Sequence, residues 1–522
     1  MGFPWTWLAT RNQFRSLRMD LVNLVYLSSG ILMLWMLSRA LLVVWWNPLR
    51  IQKHFLDQGI RGPGYKPLFG NLREIAQIHR QVKRSPPLPP PSENKSHHYM
   101  AERIFPYVPF WSIKYGKNFL LWIGPSPFLV VTDPELIKRM FNDPYHYFIT
   151  ANPALHRALG QSLPLSEGDE WANKRRLLNP LFNMEALKDM SQIIAKATTK
   201  MVDRWSKFIK LNDWEVDVQH EFEELAQNIA AIIIFGKSAE LGKRVGHLQM
   251  KLQDVTSKVL RVAYIPGSRF IPNPLTSKCV WLRKEADKLI KELIKSRYSS
   301  KDEQENDFLG FLLSSTLTQK QIEDECKVFS TAGYETISIA LSWAFILLGT
   351  HTEWQDKARE EIDEVLKGNQ PSFEILGRLK MVNMIVNETL RMYPPAPIVA
   401  RQAEEDIRLE GVDIPGGTTF VIPILAIHYD KELWGDNAAE FDPSRFAEGA
   451  SKSSKHPKAF MPFTHGPRMC LGMNFALLEI RLVLATILQK FTFVTSPIYK
   501  HDPLYTLTMK PGKGAQVIFK KI

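Results

Sequence analysis

Between Leu21 and Ser38 the chain carries no charged residue, 18 positions in a row. Arg39 interrupts, and Ala40–Trp46 is apolar again. At 1.5 Å per residue, a helix of that length spans about 27 Å, close to the roughly 30 Å hydrocarbon thickness of a bilayer. Arg39 can extend its charge to the interface, and Trp45 and Trp46 suit the headgroup level. The pattern predicts one transmembrane anchor over residues 21–46, preceded by a mixed, weakly basic segment over residues 1–20. It carries no obvious small-residue cleavage site of the kind that marks a signal peptide. Basic residues flank both ends, so charge does not orient the span.

Beyond the anchor the patterning changes to that of a globular protein. Glycine and proline punctuate Arg61–Asn71 and predict a stiff, turning hinge. The run Ser85–Ser92, with five prolines, predicts a polyproline surface loop. Residues 47–95 therefore read as hinge and linker, and residues 96–522 as one large domain. Trp122–Thr132 is rich in β-branched and aromatic residues around Gly124-Pro125 and predicts a hairpin, followed by a helix from Asp133-Pro134. A loop rich in glycine, serine and proline over residues 150–170 suits a substrate entrance. A helix begins at Glu170. Helical periodicity then dominates from Ala186 to Arg297, broken near Pro266, Pro272 and Pro274, with a charged, exposed helix over Arg283–Asp307. Thr318–Leu348 reads as one long amphipathic-to-apolar helix opened by a capping box, Thr318 with Gln321. Short strands are predicted at Ala396–Arg401, Ile407–Leu409, Thr419–Ile422, Phe491–Val494 and Leu504–Met509. A last apolar helix runs from Asn474 to about Lys490.

Composition narrows the picture. Three cysteines in 522 residues, Cys279, Cys326 and Cys470, argue against a disulfide framework and for a reducing compartment. No CxxC zinc spacing, P-loop or GxGxxG fingerprint is present, so the chain has no nicotinamide or flavin site of its own. The net charge of +12 favours an acidic partner or an anionic membrane surface. Nucleic acid is not expected, because the basic residues are dispersed and interleaved with acids.

The chemistry concentrates around Cys470. It sits in a turn between Gly466 and Gly472, two residues after Arg468 and seven after Phe463. A lone cysteine is usually a buried free thiol. Here glycines leave room for a flat ligand at the backbone, turn N–H groups favour a thiolate, and Arg468 can hold a carboxylate of the same ligand. That set suits a haem iron with a cysteine axial ligand. Three further clusters accompany it. Trp171 and Arg175 lie four apart on one helix face. Ala332-Gly333-Tyr-Glu335-Thr336 places an acid, an alcohol and a glycine in mid-helix, where each is costly, and an acid beside an alcohol can relay protons. Glu388 and Arg391 lie three apart on an apolar helix that ends at Tyr-Pro-Pro395, which favours a buried pair. His428 reads as a locally hydrogen-bonded histidine rather than a metal ligand.

The Cys470 turn resembles the haem-binding signature of the cytochrome P-450 superfamily, Phe-x-x-Gly-x-Arg-x-Cys-x-Gly, at every fixed position. Residues 332–336 resemble that family's oxygen-activation motif, except that Ile337 stands where an alcohol often follows. Trp171 and Arg175 resemble its Trp-x-x-x-Arg pattern, and Glu388 and Arg391 its Glu-x-x-Arg pair, with Arg445 as third member. The resemblance implies a mainly α fold with a small β portion behind a single N-terminal transmembrane helix. It implies haem b held by Cys470 beside Phe463, with Trp171, Arg175, Arg401 and Arg468 directed at the propionates. Glu335 and Thr336 are implied in proton delivery, and Glu388, Arg391 and Arg445 in bracing the cysteine loop. Pro397–Val399 and the turn at Tyr505–Thr508 are expected to face substrate.

The activity implied is insertion of one oxygen atom from O2 into a lipophilic small molecule. Electrons would come from NADPH through a separate flavoprotein reductase, so NADPH and flavins belong to the partner. The chain looks most like plant microsomal members, in the branch that oxidises hormones, terpenoids and fatty acids. Such members are single-pass proteins of the endoplasmic reticulum membrane with a cytosolic catalytic domain. Two alternatives stay open at this point: a haem-thiolate isomerase or dehydratase that does not use O2, and a non-enzymatic haem sensor.

Overall fold

The computed structural model describes residues 5–84, 100–149, 159–209, 214–262, 274–299 and 307–522. The polyproline run, the 95/96 boundary and the breaks at Pro266 and Pro272 lie outside the described residues.

A single run of helix leads into the body. Helix α1 (Trp5–Leu41) passes through a π turn, Leu42–Trp46, into α2 (Asn47–Asp57). From Leu24 to Trp46 the large apolar side chains other than Val44 stand exposed. Such a run has the length and apolar character of a membrane span. The helix runs past the expected end at Trp46, and Pro48 explains the π turn. Pro48 has no N–H to give the carbonyl four residues back, that of Val44. The Tyr65 hydroxyl donates to that carbonyl instead, at 2.5 Å.

The hinge after α2 is a packed junction. The Tyr65 N–H donates to Gln52 Oε1 at 2.7 Å, and the Asp413 N–H to Gln58 Oε1 at 2.6 Å. His54 and Gln58 both reach the Asp413 carbonyl. Gly62 and Gly70 lie so close to the backbone of Leu120 and Trp122 that neither has room for a side chain. They join the hinge to a five-stranded sheet built from β1 (Phe119–Ile123), β2 (Ser126–Val130), β3 (Tyr147–Phe148), β4 (Val399–Ala403) and β5 (Thr419–Ile422). Its order is β1-β2-β5-β4-β3, with only the β2–β5 pair parallel. The β1–β2 hairpin turns at Gly124-Pro125 as the sequence implies, and Asp133 caps the following helix, Pro134–Asn142.

The remainder is helical. It comprises α3 (Gly168–Leu178), α4 (Met184–Phe208), α5 (Val218–Phe235), α6 (Ala239–Val262), α7 (Pro274–Ser299), α8 (Gln319–Thr350), α9 (Lys380–Met392) and α10 (Met473–Leu488). Helix α8 is the axis of the body. Every residue from Ile337 to Gly349 is buried, against α5, α9 and α10 among others, which is why its second half is apolar on all faces. Its capping box is formed as predicted, with Gln321 reaching back to the Thr318 N–H at 3.0 Å.

The β structure differs from expectation beyond the short strands Tyr147–Phe148 and Val412–Ile414, which the sequence did not indicate. Trp214–Asp217 is a strand inside the stretch read as helical, and it pairs with Gln516–Lys521, which also pairs with Phe491–Thr495. Leu504–Met509 is not one strand: Pro503–Tyr505 and Met509–Pro511 pair as a hairpin around residues 506–508.

Candidate active site

The Cys470 turn is held by its own backbone and by one tight approach. The Cys470 N–H donates to the Phe463 carbonyl at 3.1 Å, and the Met469 N–H to the Gly466 carbonyl at 3.0 Å. Gly466 has φ +75°, and a Cβ there would lie 2.2 Å from the Phe141 carbonyl oxygen. This glycine therefore serves the packing of the turn on the helix Pro134–Asn142 rather than the approach of a flat ligand. Gly472 fits that second role, because it lines the interior cavity.

That cavity, of about 320 Å³, has an apolar interior. One side is formed by Phe463, Cys470, Gly472 and Phe475, and another by Ala332, Gly333, Thr336 and Ile337 of α8. Trp171 and Arg175 of α3 also reach it, as does Arg468. Cys470 is accessible yet deep in the protein, because its free surface faces the cavity. Burial raises its thiol pKa, while the Gly472 N–H and the Arg175 guanidinium act in the opposite sense by favouring the thiolate.

The basic residues converge at one edge. Arg468 stacks over the Trp171 ring at 4.6 Å, donates twice to the Ser166 carbonyl at 3.1 Å, and pairs with Glu167. Its Nε is buried without a partner among the described residues. Arg175 donates to the Met469 carbonyl at 2.8 Å, joining α3 to the cysteine turn. Arg401 does not line the cavity. It is buried behind Arg468, over the Phe141 ring, and burial with the neighbouring Arg468 charge lowers its pKa to about 10. Glu167 was not singled out in the sequence, since an acid just before a helix usually signals only favourable end charge.

On α8 the acid and the alcohol face different ways. Thr336 lines the cavity and donates to the Ala332 carbonyl at 3.0 Å. Glu335 is not a wall of the cavity. Its carboxylate accepts from Thr508 Oγ1 at 2.9 Å and from Gln253 Nε2 at 2.5 Å. Burial raises the Glu335 pKa, against those two hydrogen bonds and the Lys510 charge. The helix stays unbroken through Gly333. Pro397–Val399 and Tyr505–Thr508 are not among the cavity walls; Tyr505 packs edge-on against Phe105.

The third cluster lies apart from the cavity. Arg391 forks onto Glu388, with Nε at 2.7 Å and Nη2 at 2.8 Å, and gives its remaining hydrogens to the carbonyls of His428, Ala438 and Glu440. Arg445 approaches Glu388 at 3.4 Å but directs its donors to Asn437 and the Trp434 carbonyl. The Asp442 N–H takes the remaining place on Glu388 Oε1, at 2.9 Å. His428 is a neutral bridge, bonded to the Arg391 carbonyl through Nδ1 and accepting from the Met461 N–H. Lys174, on the same helix as Trp171 and Arg175, is buried and holds Gln161, Ser166 and Glu170.

A cysteine in a tight turn, facing a glycine and a threonine of a central helix across an apolar cavity edged by arginines, fits a haem-thiolate oxidoreductase. The family model described as Cytochrome P450 matches residues 98–519. The chain is 35% identical over 505 residues to Cytochrome P450 CYP72A616 of Paris polyphylla, covering 94% of this chain and 96% of that protein. It is 36% identical to Cytochrome P450 734A6 of Oryza sativa subsp. japonica, covering 93% of this chain and 94% of the relative. It is also 36% identical to Cytochrome P450 709B1 of Arabidopsis thaliana, covering 93% and 96%. The chain belongs to the cytochrome P450 family, whose members are haem-thiolate monooxygenases.

Proposed function

We propose that this protein hydroxylates a lipophilic small molecule of the terpenoid, hormone or fatty-acid type. Its electrons come from NADPH through a separate membrane flavoprotein reductase. The observation that carries the reading is the shared cavity of Cys470 and Thr336, apolar except at its arginine edge. When bound, haem supplies O2 activation, which a thiolate ligand favours.

The residues divide the remaining work. Cys470 is the iron ligand, its thiolate favoured by Arg175 and the Gly472 N–H. Arg468, Arg175 and Trp171 take the propionate edge, and Arg401 adds positive charge behind it. Thr336 holds a proton at the cavity wall, and Glu335 is its source. The apolar walls Ile234, Phe308, Val328, Phe329 and Ile337 bind the substrate body and exclude water. Glu388, Arg391 and Arg445 brace the loop that leads to the cysteine turn. The reading assigns the N-terminal span to the endoplasmic reticulum membrane as a single pass, with the body in the cytosol, where the reductase docks.

The reduced, CO-bound spectrum tests the ligand assignment. A strongly red-shifted Soret band is expected, and Cys470→Ala should abolish it. An unchanged band in that variant overturns the assignment. Consumption of NADPH and O2 with reductase present separates this reading from an isomerase, a dehydratase or a haem sensor.

A further inference from the structure

A second pocket lies where the helix from the membrane span meets the body. It opens between α2 and the hairpin formed by Ile407–Leu409 and Val412–Ile414, with a volume of about 620 Å³. That is within the roughly 300–1,000 Å³ of small-molecule sites. Arg50 and His54 of α2 face Asp406, Arg408 and Asp413 across it. Ile51, Ile407, Ile414 and Pro415 add an apolar wall. The two sides are fixed to each other through the Asp413 backbone. Its carbonyl accepts from His54 Nε2 at 2.8 Å and from Gln58 Nε2 at 3.0 Å, and its N–H donates to Gln58 Oε1 at 2.6 Å. The pocket is thus built without using its charged side chains.

Those side chains remain available. Arg50 is exposed and has no ion pair or hydrogen bond among the described residues. Arg408 Nε lies 3.6 Å from Asp413 Oδ1, and both side chains are exposed, so the pair is weak and open to exchange. Asp406 accepts from the Gly416 N–H through Oδ1 at 2.7 Å, and its Oδ2 has no partner among the described residues.

Depth along the helix decides what this pocket meets. The anchor continues through the π turn into α2, with Trp45 and Trp46 exposed at its end. Such rings mark the headgroup level of a bilayer. At 1.5 Å per residue, Arg50 lies about 6 Å beyond Trp46, and tilt only shortens that distance. The headgroup layer on each side of the hydrocarbon is about 5–8 Å deep. Arg50 therefore stands at the depth of lipid phosphates.

The charges decide which lipid. Two arginines and two aspartates balance, so the pocket is not a general site for anionic lipid. Its complement is a headgroup that carries both signs. Arginine forks onto two oxygens of a phosphodiester. A primary ammonium has three N–H donors for the carboxylates. A quaternary ammonium has none and is held best by aromatic faces, and no Trp, Tyr or Phe of the described residues lines the pocket.

We propose that this pocket binds a phospholipid whose headgroup joins a phosphodiester to a primary ammonium, as in phosphatidylethanolamine. The phosphate sits on Arg50 and Arg408 and the ammonium on Asp406 and Asp413. The isoleucines take the glycerol and the first acyl carbons. The assignment rests on residues 21–46 crossing a membrane and is independent of the haem chemistry.

The test uses the full-length, haem-loaded protein in nanodiscs of equal parts phosphatidylethanolamine, phosphatidylcholine and phosphatidylglycerol. Native mass spectrometry reads the lipids kept on the protein after transfer to detergent, with variants compared at equal amounts of CO-binding protein. Phosphatidylethanolamine should be retained about tenfold over phosphatidylcholine, and the double variant Arg50→Gln, Arg408→Gln should lose that retention about tenfold. Lys53→Gln, exposed on the same helix but outside the pocket, should leave it unchanged. Asp413→Asn keeps the backbone groups that hold α2 and leaves the arginines in excess, so it should shift retention from phosphatidylethanolamine to phosphatidylglycerol. No enrichment in the wild-type protein, an equal loss in Lys53→Gln, or an unmoved lipid ratio in Asp413→Asn overturns the proposal. Displacement of the lipid by an equal concentration of soluble glycerophosphoethanolamine overturns the bilayer as the source of the headgroup. Wild-type protein released from membranes by carbonate overturns the span reading, and the lipid assignment with it.

Discussion

At the scale of single residues, buried charge sets the strictest demands. Arg391 has five donor hydrogens and all five are used, two on Glu388 and three on backbone carbonyls. A lysine cannot reproduce that fork, and breaking a buried pair costs about 3–5 kcal/mol. Arg391→Lys should therefore lower the yield of CO-binding protein and its unfolding temperature without moving the Soret band, because the cluster does not touch the cavity. Two buried groups give the stability a pH dependence of opposite signs. Burial holds the His428 pKa at about 3, against 6.5 when free. The unfolded chain then binds that proton first, so stability present above pH 6.5 is lost as pH falls toward 3, by about 1.4 kcal/mol per unit. Glu325 is raised by burial to about 7, against 4.5 when free. The folded state holds that proton, so stability falls as pH rises from 4.5 through 7. The two partly cancel between pH 4.5 and 6.5. Thermal unfolding across pH 4.5–8 should show stability rising more steeply with pH on the acid side in Glu325→Gln, and shifted toward falling with pH up to 7 in His428→Gln.

At the scale of elements, the cysteine turn depends on one backbone conformation. Gly466 combines a positive φ with a Cβ position already occupied by the Phe141 carbonyl. Gly466→Ala has to move the turn or the helix beneath it, and either displaces Cys470 relative to α8. Protein purified from this variant should carry less haem than wild type, read as the ratio of Soret to 280 nm absorbance; full haem content would contradict the account. Helix α8 shows the complementary case. Its length, capping box and apolar second half were legible from periodicity, because a helix buried on all sides must be apolar on all sides. The strand Trp214–Asp217 was not, because its partners Gln516–Lys521 lie some 300 residues away and a four-residue strand carries little pattern of its own.

At the scale of the whole molecule, the anchor and the body are joined firmly. Tyr65 satisfies the carbonyl that Pro48 frees, and α2 is bonded to the Asp413 backbone. The glycine- and proline-rich hinge is thus a packed corner that sets the body at a defined angle to the span. Deleting residues 1–46 should shift the protein from the carbonate-resistant membrane pellet to a carbonate-extractable or soluble fraction, with the CO band retained. Retention in the pellet would show that the body carries a second strong membrane contact.

What the sequence alone determined is local in origin. The Cys470 turn, the pair Trp171 and Arg175, the Glu335-Thr336 segment and the pair Glu388 and Arg391 each lie within one turn or one helix face. Their chemistry follows from spacing a few residues long. Apolar length alone marked the anchor. The tertiary structure decided which of these groups meet, and toward what each one points. It placed Thr336 in the cavity but turned Glu335 away from it, put Glu167 on Arg468, and buried the Lys174 ammonium. It also brought Thr508 and Gln253 to Glu335 from two distant elements. The reason is physical: spacing along a helix fixes which side chains share a face, but the partner opposite that face is chosen by packing between segments far apart in the chain.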